Sequence, residues 1–320
     1  MFRIKRVNLI VKEIYKKNWK GNYFLEIVIP TYKRNDNLRN LLINLLSRNL
    51  GNSSITILDN NPDNTENFEY LEEIVNDAPL RVLRNKVHLG PDVSFLRALE
   101  VAESKWVYPL GDSKIPIKNA IDIIMADIEN HFDASSIIYT WRSKLTKSKI
   151  ISTCYDLNDK KLHWADLFLG GNCIYNSKII SKYYSIASQF SFTRTNNLAP
   201  SLMAVSDNKK IYFSNQSILD HFIKKPSYYD PGLSLLECWA NFPLIVNLPI
   251  SDSFRKIIRE KILQGESYQD RLNFLKFCLI KIFRENIDIS HHLNSILKTR
   301  YKKIFSFEKL AIQIVHLLCL

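Results

Sequence analysis

The sequence predicts an open α/β unit over residues 24–114, built on a mainly parallel sheet flanked by helices. Short apolar runs alternate there with segments whose leucines recur at helical spacing. Two of these runs stop at acidic turns, Leu58-Asp59-Asn60-Asn61-Pro62 and Leu110-Gly111-Asp112-Ser113. Hydrophobic residues make up 46% of the 320 positions and only 8 are glycine, so a sizeable core and abundant helix are expected.

The elements follow in order. Residues 3–17 read as an amphipathic helix, with Val7, Ile10, Val11 and Ile14 on one side and basic residues on the other. Such a helix either lies on an anionic lipid surface or packs on its own domain with a solvated basic face. Phe24–Ile29 is a buried strand that ends at Pro30, and Asn37–Arg48 a helix. Ile55–Leu58 is a strand, Phe68–Val75 a helix, Leu80–Leu83 a strand and Val93–Ala102 a helix. Trp106–Leu110 and Ser136–Trp141 are strands on either side of a helix over Lys118–Asn130. Residues 142–162 are polar and loop-rich. Cys173–Tyr175 and Ile211–Phe213 read as strands, and 178–190 and 196–206 as helices. From 233 to the end the pattern is helical. The chain thus divides into a basic helix over 1–23, an α/β domain over 24–232 and a helical region over 233–320.

Charge and cysteine content narrow the function classes. Net charge is +12, from 44 Lys and Arg against 32 Asp and Glu, which favours anionic partners. Arg3, Lys5, Arg6, Lys12, Lys16, Lys17 and Lys20 face only Glu13 at the N-terminus. No helix-turn-helix, finger or RNP-like string accompanies the charge, so nucleic acid is not an expected partner. Cys154, Cys173, Cys238, Cys278 and Cys319 are odd in number and without a CxxC pair. That argues against a zinc site or disulfide framework and for a reducing, cytoplasmic setting. No apolar stretch is long enough to span a membrane as a helix, and no secretory signal is visible. GxGxxG and GxxxxGK[ST] are both absent, which excludes an obvious dinucleotide enzyme or P-loop NTPase.

In open α/β sheets ligands bind beyond the carboxyl ends of the strands. Thr31-Tyr32-Lys33-Arg34, Asp59-Asn60-Asn61 and Gly111-Asp112-Ser113 stand at such ends. One carboxylate there can accept hydrogen bonds from a base or ribose. A second can hold a divalent cation against a diphosphate. Either acid alone is more simply a turn residue; the two together, at strand ends in this order, point to a site.

The strings that carry these residues resemble family 2 glycosyltransferases of the GT-A fold. Ile27-Val28-Ile29-Pro30-Thr31-Tyr32-Lys33-Arg34 is similar to the family's opening strand, and Leu58-Asp59-Asn60-Asn61-Pro62-Asp63 to its second motif. Arg84-Asn85, Leu89-Gly90-Pro91 and Phe95-Leu96-Arg97-Ala98 resemble the helix that follows. Tyr108-Pro109-Leu110-Gly111-Asp112-Ser113-Lys114 falls where the family carries its metal-binding acids, in an "LGDDD" form. That subgroup includes enzymes of bacterial O-antigen and capsule assembly. The match covers about residues 24–130 and is faint beyond 165, where Gly170-Gly171-Asn172 alone falls near an expected acceptor-side strand.

The resemblance implies a GT-A-like domain over 24–232, a nucleotide-sugar donor and a glycan or lipid-linked acceptor. It implies action at the inner face of the cell membrane, where the basic ends of the chain suit peripheral contact with anionic lipid. Pro30, Thr31, Tyr32 and Arg34 would line the nucleotide pocket and Asp59 would contact the base. Asn85 and Gly90 would lie near the ribose and sugar, and Asp112 and Ser113 near the diphosphate. Asp112 would hold Mn²⁺ or Mg²⁺. The chemistry would be direct displacement at the anomeric carbon with inversion.

Two departures stand out. Lys114 replaces the last acid of the motif; it weakens metal binding, offsets diphosphate charge itself, or is a surface salt partner. Arg194-Thr195-Asn196-Asn197 lies where the family's basic carboxylate is expected and holds no acid. Asp166 and Asp207 are the nearest acids, each equally readable as a surface residue or cap, and His163 beside Trp164 is a further candidate. These departures also motivate a non-catalytic relative that binds a nucleotide or glycan for a partner enzyme. Trp141, Tyr155, Trp164, Tyr228, Tyr229 and Trp239 could stack on sugars, but core packing is the commoner use of such rings.

Overall fold

The structure is a computed structural model and describes residues 10–64, 68, 70–75, 77–141, 143–163, 166–167, 171–191, 197–222, 245, 247–264 and 313. The helical reading of 233–320 lies outside them except at the last few of these ranges.

The chain opens with β1 (Val11–Lys17) and β2 (Leu25–Thr31), then α1 (Asn35–Leu46), β3 (Ser53–Asp59) and α2 (Tyr70–Ile74). Next come β4 (Leu80–Asn85), α3 (Pro91–Val101), β5 (Trp106–Pro109), β6 (Lys114–Pro116) and α4 (Ala120–Asn130). The second half holds β7 (Ser136–Tyr139), β8 (Lys149–Ile151), β9 (Cys173–Asn176), α5 (Ser177–Ile180) and α6 (Tyr184–Gln189). It continues with α7 (Leu198–Ser206), β10 (Ile211–Ser214), β11 (Leu219–Phe222) and α8 (Asp252–Gln264).

Among the described residues, nine strands form one sheet in the order β1-β4-β3-β2-β5-β9-β7-β10-β8, and β6 pairs with β11 beside it. Strands β4, β3, β2 and β5 run parallel. Strand β9 is antiparallel to both β5 and β7, and β7 and β10 are parallel to each other. The carboxyl ends of β2, β3, β4, β5, β7 and β10 therefore share one edge. The chain steps outward from β2 to β4 and then returns to lay β5 on the other side of β2. That reversal is the switch point where open α/β sheets bind ligands.

The residues of β2 are apolar almost throughout because both faces of the sheet are covered. Leu25, Ile27 and Ile29 pack on one face with Leu38, Leu41, Leu42 and Leu45 of α1 and Ile121, Ile124 and Ile128 of α4. Val28 packs on the other with Leu96, Ala98 and Leu99 of α3 and Leu202 of α7. Each fully buried leucine contributes about 2 kcal/mol relative to exposure, so the α1 face outweighs the exposed ion pairs around it. Helix α3 starts where Gly90 gives way to Pro91, whose missing N–H costs nothing in a first turn.

A charged residue is buried in this apolar strand. Glu26 is 0% exposed and pairs with Arg81 at 3.0 Å. Its carboxylate also accepts from Thr56 Oγ1 at 2.7 Å and from the backbone N–H groups of Glu103 and Ser104 at 2.7 and 3.1 Å. The Arg81 guanidinium stacks 4.2 Å from the Trp19 ring.

The expected N-terminal helix is corrected over its described part: Val11–Lys17 is an edge strand, antiparallel to β4. A register shift between Glu13 and Tyr15 breaks the two-residue alternation and imitates a helical period. Val11, Ile14 and Tyr15 suit a pleated surface, and the exposed Lys12 and Lys16 guard the free edge. The loop-rich stretch 142–162 contains β8 and a 3₁₀ turn over Cys154–Asn158. Strands β6 and β11 were not legible either, being three and four residues long. Among the described residues, no helix is long and apolar enough to cross a membrane.

Candidate functional site

The parallel register sets a row of polar residues along the shared carboxyl edge. Thr31 lies opposite Asp59, and Asp59 opposite Arg84. Asp59 is buried, and its carboxylate accepts from Arg84 Nε at 2.8 Å, Asn64 Nδ2 at 3.1 Å and the Asn61 N–H at 3.0 Å. Such a carboxylate is fixed in orientation by charge-assisted bonds.

Asn60 binds this row to the loop after β4. Its N–H donates to the Thr31 carbonyl at 2.9 Å. Its Oδ1 accepts from Asn85 Nδ2 at 2.9 Å and from the Leu89 N–H at 3.0 Å, while its Nδ2 donates to the Leu89 carbonyl. Asn85, expected near the ribose, is 1% exposed and serves this clasp. Gly90 follows directly, so the clasp places the Gly90 turn and the start of α3.

Asp112 stands across the switch point. Thr31 Oγ1 donates to its Oδ2 at 2.9 Å and Arg34 Nη1 to its Oδ1 at 3.0 Å. Burial pushes the Asp112 carboxyl above its ordinary value, and Arg34 and Thr31 offset part of that rise. Tyr32 rests on His88 with ring centroids 4.4 Å apart, and Lys33 Nζ lies 5.2 Å from the Tyr32 ring. Lys33 has a φ of +53°, a left-handed conformation unusual for a side-chain-bearing residue and typical of functional turns. The structure thus joins Thr31, Arg34 and Asp112 in one cluster and Asp59 and Asn85 in a second. Pro30 and Tyr32 flank them on the chain.

The turn Gly111–Lys114 closes with the Lys114 N–H on the Gly111 carbonyl at 3.0 Å. It folds Lys114 back toward Gly111, with Ser113 within the turn. Burial lowers the Lys114 ammonium to about 8. Arg48 of the α1 end holds the following segment through the carbonyls of Pro116, at 2.8 Å, and Ile117.

A divalent cation fits this donor set poorly. Asp112 is the carboxylate of the turn, and both its oxygens are engaged, one by a guanidinium. Among the described residues no group of three or more His, Cys, Asp or Glu is placed to hold a metal ion. Hard cations favour oxygen ligands, and here Arg34 brings positive charge instead.

The base candidates are corrected by their surroundings. Asp166 is on the right side of the sheet, before β9, but is 0% exposed. Its Oδ1 accepts the Trp141 N–H at 3.1 Å and its Oδ2 the Ser143 N–H at 2.8 Å. It anchors the loop after β7. Asp207 ends α7 and precedes β10, so it lies at the opposite end of the sheet from Asp112. Its carboxylate accepts from Tyr183 Oη at 2.6 Å and Lys182 Nζ at 2.8 Å. Lys182, then Tyr183, hold it below the usual carboxylate range, the wrong direction for a base. The His163 N–H donates to Ser143 Oγ at 2.8 Å in the Asp166 loop.

Sequence motifs contain Asn60 and Arg84 without marking a role for either. Strand register sets Arg84 opposite Asp59, and the tertiary fold brings Asn60 to Leu89.

Comparison with known proteins bears on this arrangement. Residues 26–183 match the glycosyl transferase family 2, a span that runs from β2 past β9 and contains both clusters. The chain carries a family 2 glycosyltransferase domain. The abequosyltransferase RfbV of Salmonella typhimurium is 21% identical to it over 282 residues, 85% of this chain and 79% of that protein. Residues 1–349 of S. aureus TarS, in complex with UDP-GlcNAc, superpose with a TM-score of 0.56 at 13% identity, covering 91% of this chain and 90% of that one. The mannosyltransferase PcManGT of Pyrobaculum calidifontis, with GDP-Man and Mn²⁺, gives 0.54 at 9% identity, covering 99% and 93%. These solved structures share the GT-A-type α/β fold of the transferase domain.

Proposed function

We propose that this glycosyltransferase moves a sugar from a nucleotide-sugar donor to a glycan or lipid-linked acceptor in bacterial surface-polysaccharide assembly. The observation that carries the reading is the joining of Thr31, Arg34 and Asp112 at the switch point, beside the Asp59–Arg84 row. Donor binding there agrees with the nucleotides bound by the two structural neighbours and with the sugar-transferring relative.

In this reading Pro30, Thr31, Tyr32 and Arg34 line the nucleotide pocket, and Asp59 meets the base. Asn85, through Asn60, shapes the Gly90 turn near the ribose and sugar. Asp112 and Ser113 border the diphosphate. The acceptor hydroxyl forms a bond to the anomeric carbon as the bond to the diphosphate oxygen breaks, with inversion. The electron pair leaves with the nucleoside diphosphate, and the hydroxyl proton passes to a general base. Asp166 and Asp207 are both engaged elsewhere, so neither is assigned that step. No step is routed through Mn²⁺ or Mg²⁺, because the donor set fits such an ion poorly.

The exposed Lys12 and Lys16 and the basic residues before β1 suit peripheral contact with anionic lipid at the inner membrane face. Removing residues 1–9 leaves β1 intact and is expected to weaken binding to anionic liposomes; unchanged binding removes the membrane part of the reading.

The engaged acids favour one second reading, a nucleotide-binding relative without turnover. Product formation from UDP-, GDP-, CDP- and dTDP-sugars separates the two. Transfer or hydrolysis of one donor, lost in Asp112→Ala, supports the enzyme. Clear nucleotide binding without turnover of any donor supports the alternative.

A further inference from the structure

His88 has no place in the motifs of this edge, yet the fold brings its ring into the middle of it. It stands three positions after β4, and Tyr32 one position after β2. Strand β3 runs between those two strands. Neighbouring strands lie about 4.8 Å apart, so the ends of β2 and β4 are separated by about 10 Å. The two rings close that gap, with centroids 4.4 Å apart and planes tilted by 45°. The pair therefore crosses the line of β3, whose end carries the Asp59–Arg84 row.

One residue sets both rings. The Asn60 N–H donates to the carbonyl of Thr31, directly before Tyr32, at 2.9 Å. Its side chain binds the N–H and carbonyl of Leu89, directly after His88. At the start of the same loop the Lys86 N–H donates to the Ile10 carbonyl at 3.1 Å. His88 is thus carried on a backbone held before and after it. The residue is nonetheless exposed, so it contributes little to a core. An exposed ring held beside buried polar groups at the switch point offers a flat ligand a face to stack on. Nucleobases stack on histidine as on the larger aromatic rings. The Lys33 ammonium, 5.2 Å from the Tyr32 ring, brings positive charge to the same rim and favours an anionic ligand.

We propose that His88 is a nucleobase-stacking residue of the donor site, extending the Tyr32 ring into a two-ring platform at the end of β3. The inference rests on the reading of this edge as a nucleotide-sugar pocket, and it concerns the base rather than the sugar or the diphosphate.

Titration of the full chain with UDP, GDP, CDP and dTDP tests it, followed by calorimetry and by the ring C–H resonances of the seven histidines. The His88 resonance is the one missing in His88→Phe and in His88→Gln. The nucleoside diphosphate that binds is expected to move that resonance through the ring current of the stacked base. Pyrophosphate, which has no base, is expected to leave it within a small fraction of that shift. His88→Ala is expected to weaken the nucleoside diphosphate by about tenfold, the scale of one stacked base, and His88→Phe to stay within about threefold of wild type. Nucleotide binding to wild type that leaves the His88 resonance unmoved overturns the inference while leaving nucleotide binding standing. So does equal affinity of wild type and His88→Ala, or a His88→Phe as weak as His88→Ala. Absence of binding by all four diphosphates overturns the pocket reading itself. The resonance shift is read on unaltered protein, so a variant that fails to fold does not spare the inference.

Discussion

Thr31 at the end of β2 donates a 2.9 Å hydrogen bond to Asp112, a residue 81 positions further along the chain. With Arg34 on the other oxygen, this contact ties the loop after β2 to the turn after β5 across the switch point. Arg34→Ala would leave a buried carboxylate with Thr31 as its side-chain donor. Since burial already raises this carboxyl, the residue would partly escape by protonation rather than carry the full charge penalty. We expect a loss of about 2 kcal/mol in urea unfolding, together with weaker nucleotide binding. An unchanged unfolding midpoint would show that the pair does not form in solution.

Asn60 holds the loop after β4 by bonds to Asn85 and to both backbone groups of Leu89. Asn60→Ala removes all three and leaves buried partners unsatisfied. A cost of about 1–3 kcal/mol is expected. Nucleotide affinity should fall with it, because the Gly90 turn loses its support. The same substitution with full nucleotide affinity would separate the loop from the pocket.

The residues of the proposed donor half are legible in the sequence because they sit in short runs whose ends are marked by turns. Burial on both faces makes β2 apolar apart from Glu26 and its closing Thr31 and gives β3 the run Ile55 to Leu58, interrupted by Thr56 alone, and Asp59 and Asp112 end their runs visibly. What joins them was not legible. The Asp59–Arg84 and Asn60–Leu89 contacts depend on register between strands, which no local pattern carries. Strand β1 was misread because its register shift hides the alternation. Chain position alone makes Asp166 and Asp207 base candidates. Their partners, two backbone N–H groups for one and Tyr183 with Lys182 for the other, belong to tertiary structure.

Asp166 is expected to matter for stability rather than for turnover. Its two oxygens serve the N–H groups of Trp141 and Ser143. Asp166→Asn keeps one acceptor and turns the other position into a donor. The resulting unsatisfied N–H costs about 1–3 kcal/mol. Turnover of the folded fraction should stay within about tenfold of wild type, whereas loss of a general base lowers it by about a hundredfold or more. A fall of the second size at unchanged stability would restore Asp166 as the base.

Glu26 offers a control away from the site. It is buried among Arg81, Thr56 and two backbone N–H groups at the amino-terminal side of β2. Removing one partner of a buried ion pair strands the other charge. Glu26→Ala is therefore expected to cost about 3–5 kcal/mol, while nucleotide affinity of the folded protein stays unchanged. Loss of affinity without loss of stability would mean that the sheet transmits the change to the carboxyl edge.

Asp207 carries the pH dependence most directly linked to a sequence expectation. Lys182 and Tyr183 hold its folded carboxyl below the ordinary value. A lowered folded value means that the unfolded chain binds the proton more readily. The stabilisation is then fully present above the unfolded value of about 3.9 and is lost as pH falls through the folded one. Thermal unfolding of wild type and Asp207→Asn should therefore differ at neutral pH, with the gap closing on the acid side. The gap should be small, since the Asp207 and Lys182 side chains are 44% and 49% exposed. Turnover should be the same in both proteins across this range, because Asp207 stands at the far end of the sheet. A variant that is stable but inactive at neutral pH would return Asp207 to the reaction, and would require the chain to bring α7 to the opposite edge.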